Sequence, residues 1–135
     1  MKILLIAFLS LLSSFQQQPT AKELIGIWKV TDLVIDTSSP LAANKAFVAK
    51  VRPMLKKTVF AINADHSFSM KGEGLFKDPI KGVWEYDAVN HWLRVTEKRG
   101  SQSRLVELMV FKNKEGKMCF SMSETPVMMI VQKQP

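Results

Sequence analysis

The stretch Val59-Phe60-Ala61-Ile62-Asn63-Ala64-Asp65-His66-Ser67-Phe68-Ser69-Met70-Lys71 decides the architecture. Phe60, Ile62, Phe68 and Met70 stand at alternate positions on either side of the turn-forming segment Asn63 to His66. Period-2 alternation around a short polar break is the pattern of an antiparallel hairpin that turns one face to a core.

The same signal recurs outward from this hairpin in both directions. Alternation predicts strands over Ile25–Ile35, Lys57–Asn63, Ser67–Lys71, Ile80–Tyr86, His91–Glu97, Arg104–Lys112, Lys117–Ser123 and Val127–Gln132. The segments between them are built from Asn, Asp, Gly, Ser and Pro, the residues of turns. One segment breaks the pattern. Leu41 to Leu55 is alanine-rich and places Phe47, Val48, Val51, Met54 and Leu55 on one helical stripe. Ser39 is positioned to cap this helix with Pro40 at its first turn, and Pro53 to kink or end it.

Short connections make consecutive strands antiparallel neighbours, and eight in series suit a sheet closed on itself. The predicted fold is therefore mainly all-β: an eight-stranded antiparallel up-and-down barrel with one α-helix inserted between strands 1 and 2. A chain of 135 residues leaves room for one such domain.

The N-terminal stretch has a different character. Lys2 is followed by Ile3–Leu12, apolar apart from Ser10, and then by Ser13, Ser14 and the polar Gln16-Gln17-Gln18-Pro19. That order is the order of a secretory signal peptide, and the run is far shorter than the roughly 20 residues of a spanning helix. Residues 1–18 are read as a cleaved leader and residues 19–135 as the domain, periplasmic or secreted and not spanning the membrane. No cysteine stands near the apolar run to carry an acyl chain, so a lipoprotein is not expected. Cys119, the one cysteine, has no partner for an internal disulfide and is read as a small buried hydrophobe.

Two further blocks strengthen the barrel reading: Leu24-Ile25-Gly26-Ile27-Trp28-Lys29-Val30 at the first strand and Gly82-Val83-Trp84-Glu85-Tyr86-Asp87 at the fourth. With the Val59–Phe68 block, the Gly26-x-Trp28 pattern resembles the small secreted bacterial lipocalin-like domains, barrels of the calycin type. The resemblance covers about Leu24 to Val131. It implies that Trp28 plugs one barrel end and that the interior receives a small ligand. Two positions depart from the pattern. His66 stands where such sequences carry glycine, which Asp65 would accommodate by taking the left-handed conformation. Lipocalins cover the first-strand tryptophan with an arginine from near the last strand, and here the final strand offers only Lys133.

With Lys2 set apart, 18 basic residues face 12 acidic ones, an excess of six. Barrel topology sends the long loops to one end, and that mouth gathers eleven basic side chains against five acidic ones. Lys50, Arg52, Lys77, Lys98, Arg99 and Arg104 form its expected basic rim. The interior candidates are Phe60, Phe68, Met70, Trp84, Leu93, Met118, Phe120, Met122 and Met129, aromatics and adaptable methionines that suit a deformable apolar ligand or, equally, a filled core. The strand Arg104–Lys112 is apolar on both faces except at Glu107, so its inward face is open.

Catalytic signals are missing. His66 and His91 sit in or beside turns without a second ligand at metal spacing, and there is no phosphate loop, nucleophile elbow or paired-cysteine motif. Asp32 and Glu107 are the carboxylates that would do acid or base work if they faced inward. The sequence thus points to a monomeric, non-enzymatic binding protein without cofactor or metal. Its expected partner is a small apolar or anionic amphipathic molecule held in the barrel. The alternative is a filled-core module that docks on a protein or anionic envelope surface through its mouth loops and helix. Nucleic acid is not expected, because the basic residues are not interleaved with a stacking platform.

Overall fold

Eight antiparallel strands close into a barrel in the computed structural model: Gly26–Ile35 (β1), Val59–Ile62 (β2), Ser67–Lys71 (β3), Ile80–Asp87 (β4), Trp92–Arg99 (β5), Gln102–Lys112 (β6), Met118–Met122 (β7) and Val127–Lys133 (β8). Each strand pairs with its neighbour in sequence, and β8 returns to pair with β1, so the sheet has no free edge. The structure describes residues 18–36, 38–40, 43–72, 78–122 and 125–135, without the side chain of Arg99. The leader expected over residues 1–18 therefore lies outside the described residues, Gln18 excepted. Among the described residues, no helix is long and apolar enough to cross a membrane.

The opening hairpin forms as its alternation requires. Phe60 pairs with Met70 and Ile62 with Phe68, and all four side chains are buried. At its turn the left-handed residue is His66, with φ of 68°, and not Asp65. Asp65 is instead held by its own carboxylate, which accepts from the Ser67 amide at 2.9 Å and hydroxyl at 2.6 Å. The His66 ring then stacks on Trp84, with centroids 4.6 Å apart. Its Nδ1 donates to the Trp84 carbonyl oxygen at 3.1 Å, which offsets the strain of the positive φ.

Among the described residues, two helices accompany the barrel. Ala21–Leu24 (α1) is a single turn closed by a capping box between Thr20 and Glu23. Lys45–Lys56 (α2) is the helix inserted between β1 and β2. It starts later than the sequence suggests: Asn44, not Ser39, is its cap, its Oδ1 accepting from the Phe47 amide at 3.1 Å. Pro53 does not end it: the helix runs on past this exposed proline to Lys56. Leu55 is buried in the core cluster with Val51 packed beside it, while Phe47 is 38% exposed. Burying a leucine contributes about 2 kcal/mol, enough to seat the C-terminal half of α2 against the barrel.

The end of the barrel where β1 begins is plugged from below. Leu24 has no accessible surface, and its carbonyl accepts from Trp28 Nε1 at 2.9 Å. Tyr86 Oη donates to the Pro19 carbonyl at 2.7 Å, and Lys112 Nζ meets Glu23 at 2.6 Å. Together these contacts pin the segment from Pro19 to Leu24 across the base. Gly26, at the bend into β1, holds φ of +148°, and a side chain there would meet the Lys133 chain at 3.1 Å.

Candidate functional site

The nine interior candidates all face the inside of the barrel. Phe60, Met70, Leu93, Phe120 and Met129 have no accessible surface, and Phe68, Trp84 and Met118 retain only 2–6%. Met122 is half-buried at the margin of the same cluster. An aromatic series runs across the barrel, from Trp28 to Phe120 at 5.7 Å, Phe120 to Phe60 at 5.2 Å, and Phe60 to Phe68 at 6.4 Å between centroids. Side chains with no accessible surface border no void that admits a water molecule. These residues pack against one another.

The expected rim is spread over several elements. Lys50 and Arg52 project from α2 into solvent, Lys98 lies exposed on β5 and Arg104 on β6. Lys77 and the side chain of Arg99 lie outside the described residues. Arg104 Nε reaches Glu97 Oε2 at 3.5 Å. Glu97 is the carboxylate that alternation places inside, following Leu93 and Val95 on β5, and it is 3% exposed.

Asp32 and Glu107 do not face inward. The register between β1 and β8 shifts between Val30 and Asp32, so Thr31 is an extra residue and both Thr31 and Asp32 stay exposed between buried Val30 and Leu33. Asp32 accepts from the Leu33 amide at 2.8 Å. On β6 the inward positions belong to Val106, Leu108 and Val110, which leaves Glu107 outside to accept from Arg94 Nε at 3.1 Å. Among the described residues, no three His, Cys, Asp or Glu side chains converge as a metal site. Burial pushes the Cys119 thiol pKa above its ordinary value, which disfavours the thiolate.

Accessible concave space lies elsewhere. A groove of about 560 Å³ runs along the base, where β8 closes on β1 beside the β6–β7 turn. Trp28, Met118, Ile130 and Val131 supply its apolar lining, and Lys112, Lys117 and Lys133 supply positive charge against the single carboxylate of Glu23. Lys133 Nζ sits 5.1 Å from the centroid of the Trp28 ring, and Lys117 is 3.3 Å from Glu115. Lys112 holds the Glu23 carboxyl below its ordinary pKa through their direct hydrogen bond, so the Glu23 carboxylate stays ionised at neutral pH. A second groove of similar volume lies outside β4 and β5, between Lys81, Val83, Glu85 and Lys98.

Sequence reasoning did not find the base groove. Its cations come from the end of β6, the β6–β7 turn and the end of β8, and only closure of the barrel brings them around Trp28. The available signal was the pairing of the first strand with the last, which every up-and-down barrel imposes and which sets Trp28 opposite Lys133.

No family model and no curated protein matches the chain. Among solved structures it is similar to the crystal structure, at 1.00 Å resolution, of a DUF4847 family protein from Bacteroides vulgatus ATCC 8482, with 12% identity, a TM-score of 0.48, and 86% of this chain and 100% of that chain covered.

Proposed function

We propose that the chain is an exported binding protein rather than a catalyst, and that its base groove takes a small anionic amphipathic molecule. The observation that carries this reading is the composition of the groove: an apolar floor of Trp28, Met118, Ile130 and Val131 beside Lys112, Lys117 and Lys133. Its volume of about 560 Å³ falls in the range of small-molecule sites, roughly 300–1,000 Å³. An acyl or aryl body would cover the apolar floor while a carboxylate or sulfate met the lysines.

The barrel interior offers less. A ligand held among Phe60, Met70, Leu93, Phe120 and Met129 has to displace side chains that already fill that space. Docking through the mouth draws less support as well, because Val51 and Leu55 of α2 are spent on the core.

Calorimetric titration with dodecanoate and with uncharged dodecanol tests the reading. Saturable one-to-one binding of dodecanoate is expected. The double variant K117E/K133E should weaken it roughly tenfold, from about 0.5–1 kcal/mol per half-exposed charge contact. Absence of saturable heat, or equal binding of dodecanol, would contradict it.

A further inference from the structure

The outer surface of the barrel is not uniform. On β5 through β8 and β1 two rows of outward residues are mostly apolar, and the strand registers place them side by side. Trp92 opposes Met109, Met109 opposes Ser121, Ser121 opposes Met128, and Met128 opposes Val34. In the adjoining row Phe111 opposes Cys119, and Cys119 opposes Ile130. Directly opposed residues on one face lie about 5 Å apart, so these side chains form one continuous band. Met109 is 41% exposed and Val34 46%, Trp92, Phe111, Met128 and Ile130 are half-buried, and Cys119 between Phe111 and Ile130 is covered by its neighbours, with no accessible surface. The outward positions of β3 and β4 are different: Ser67, Ser69, Lys81 and Glu85 alternate there, with Val83 the apolar exception.

Charge borders the band on its base side. Lys29, Lys114 and Lys117 are exposed there with Lys133, against Glu115, which pairs with Lys117, and Asp32 at the end of the second row. On the opposite margin Arg94 and Glu107 neutralise each other. An exposed apolar band edged by lysines is complementary to the interface of an anionic membrane, where tryptophan settles at the headgroup level and flexible methionine side chains adapt to acyl chains. We infer that the face formed by β5 to β8 and β1 docks on the surface of an anionic phospholipid bilayer. Met109, Met128 and Val34 enter the interface, and the base lysines meet the headgroups.

Vesicle sedimentation with the full chain tests this, since any contribution of Ile3–Leu12 is common to every variant. Vesicles of phosphatidylglycerol with phosphatidylcholine are compared with phosphatidylcholine alone. The unmodified chain should sediment with the anionic vesicles. M109E/M128E should lower that partitioning about tenfold, and so should V34E/M109E, the second pair guarding against a local folding defect. V83E, on β4 beside the face but outside both rows, should leave it unchanged. K117E/K133E should lower binding to anionic vesicles by roughly 25-fold or more, at about fivefold per lysine, and leave the neutral vesicles unaffected. A chain that stays in the supernatant with both vesicle types overturns the inference, and so does a loss in V83E as large as in M109E/M128E. Either failure leaves the groove reading intact if dodecanoate still titrates, because Met109 and Val34 do not line the groove.

Discussion

Lys133 lies over Trp28, its Nζ 5.1 Å from the ring centroid, and its alkyl chain occupies the space that a side chain on Gly26 would need. One lysine thus joins the last strand to the first at the barrel base. It covers the Trp28 ring from the last strand, whose basic residue is this lysine. Lys133→Ala should lower stability by about 0.5–1.5 kcal/mol, from a cation–π contact and lost packing of the alkyl stem. Lys133→Arg should retain most of it. Urea denaturation followed by tryptophan fluorescence measures both.

Gly82 lies where the backbones of β4 and β5 leave no room for a side chain. A β-carbon there would stand 2.3 Å from the Thr96 carbonyl oxygen, a backbone atom that cannot turn aside. Gly82→Ala should therefore cost about 3 kcal/mol through displacement of β4 from β5. Thermal melting and the amide spectrum of Val83 and Thr96 report it; an unchanged melt would show that the strands separate easily.

Phe120 is the centre of the aromatic series, in edge-to-face contact with both Trp28 and Phe60. Phe120→Ala should destabilise by about 3–5 kcal/mol, the usual cost of a large core truncation. Phe120→Leu should cost less and leave dodecanoate affinity within about twofold, since Phe120 does not line the groove.

The Glu23–Lys112 pair ties α1 to β6, and it sets a pH dependence with a definite sign. Glu23 has a folded-state pKa lowered from its ordinary 4.5, so its contribution is fully present above that value and is lost as pH falls below it. The amide signals of Ala21 to Leu24 should shift toward a frayed turn as the Glu23 carboxylate takes up its proton in acid. Glu23→Gln should remove the transition, and its persistence in that variant would assign the effect elsewhere.

Much of the barrel was legible because its strands obey strict alternation. Phe60, Ile62, Phe68 and Met70 announced their facing, as did Leu93, and all are inward and buried, whereas Glu97, counted among the charges of the mouth, is 3% exposed and lies inside. The reading failed where alternation is broken or a rule had two candidates. A single extra residue at Thr31 turns Asp32 outward, and no sequence period marks it. Ser39 and Asn44 are both good caps, and packing of Val51 and Leu55 decides for the later one. At the hairpin the choice of His66 over Asp65 as the left-handed residue depends on the stack with Trp84, a contact from another strand. The Thr20-x-x-Glu23 capping box that starts α1 lies outside every alternating run and went unread. The groove was not, because its lysines are adjacent only after β8 returns to β1.

The central claim is that ligand binds at the base groove and not inside the barrel, and the methionines offer a direct test. Met118, 6% exposed, faces inward at the base end and lines the groove, whereas Met70 and Met129 have no accessible surface and do not line it. Methyl-labelled methionine spectra recorded through a dodecanoate titration should show Met118 shifting to saturation while Met70 and Met129 hold their positions. Saturable shifts of Met70 and Met129, with Met118 unmoved, would place the ligand in the barrel and contradict the account.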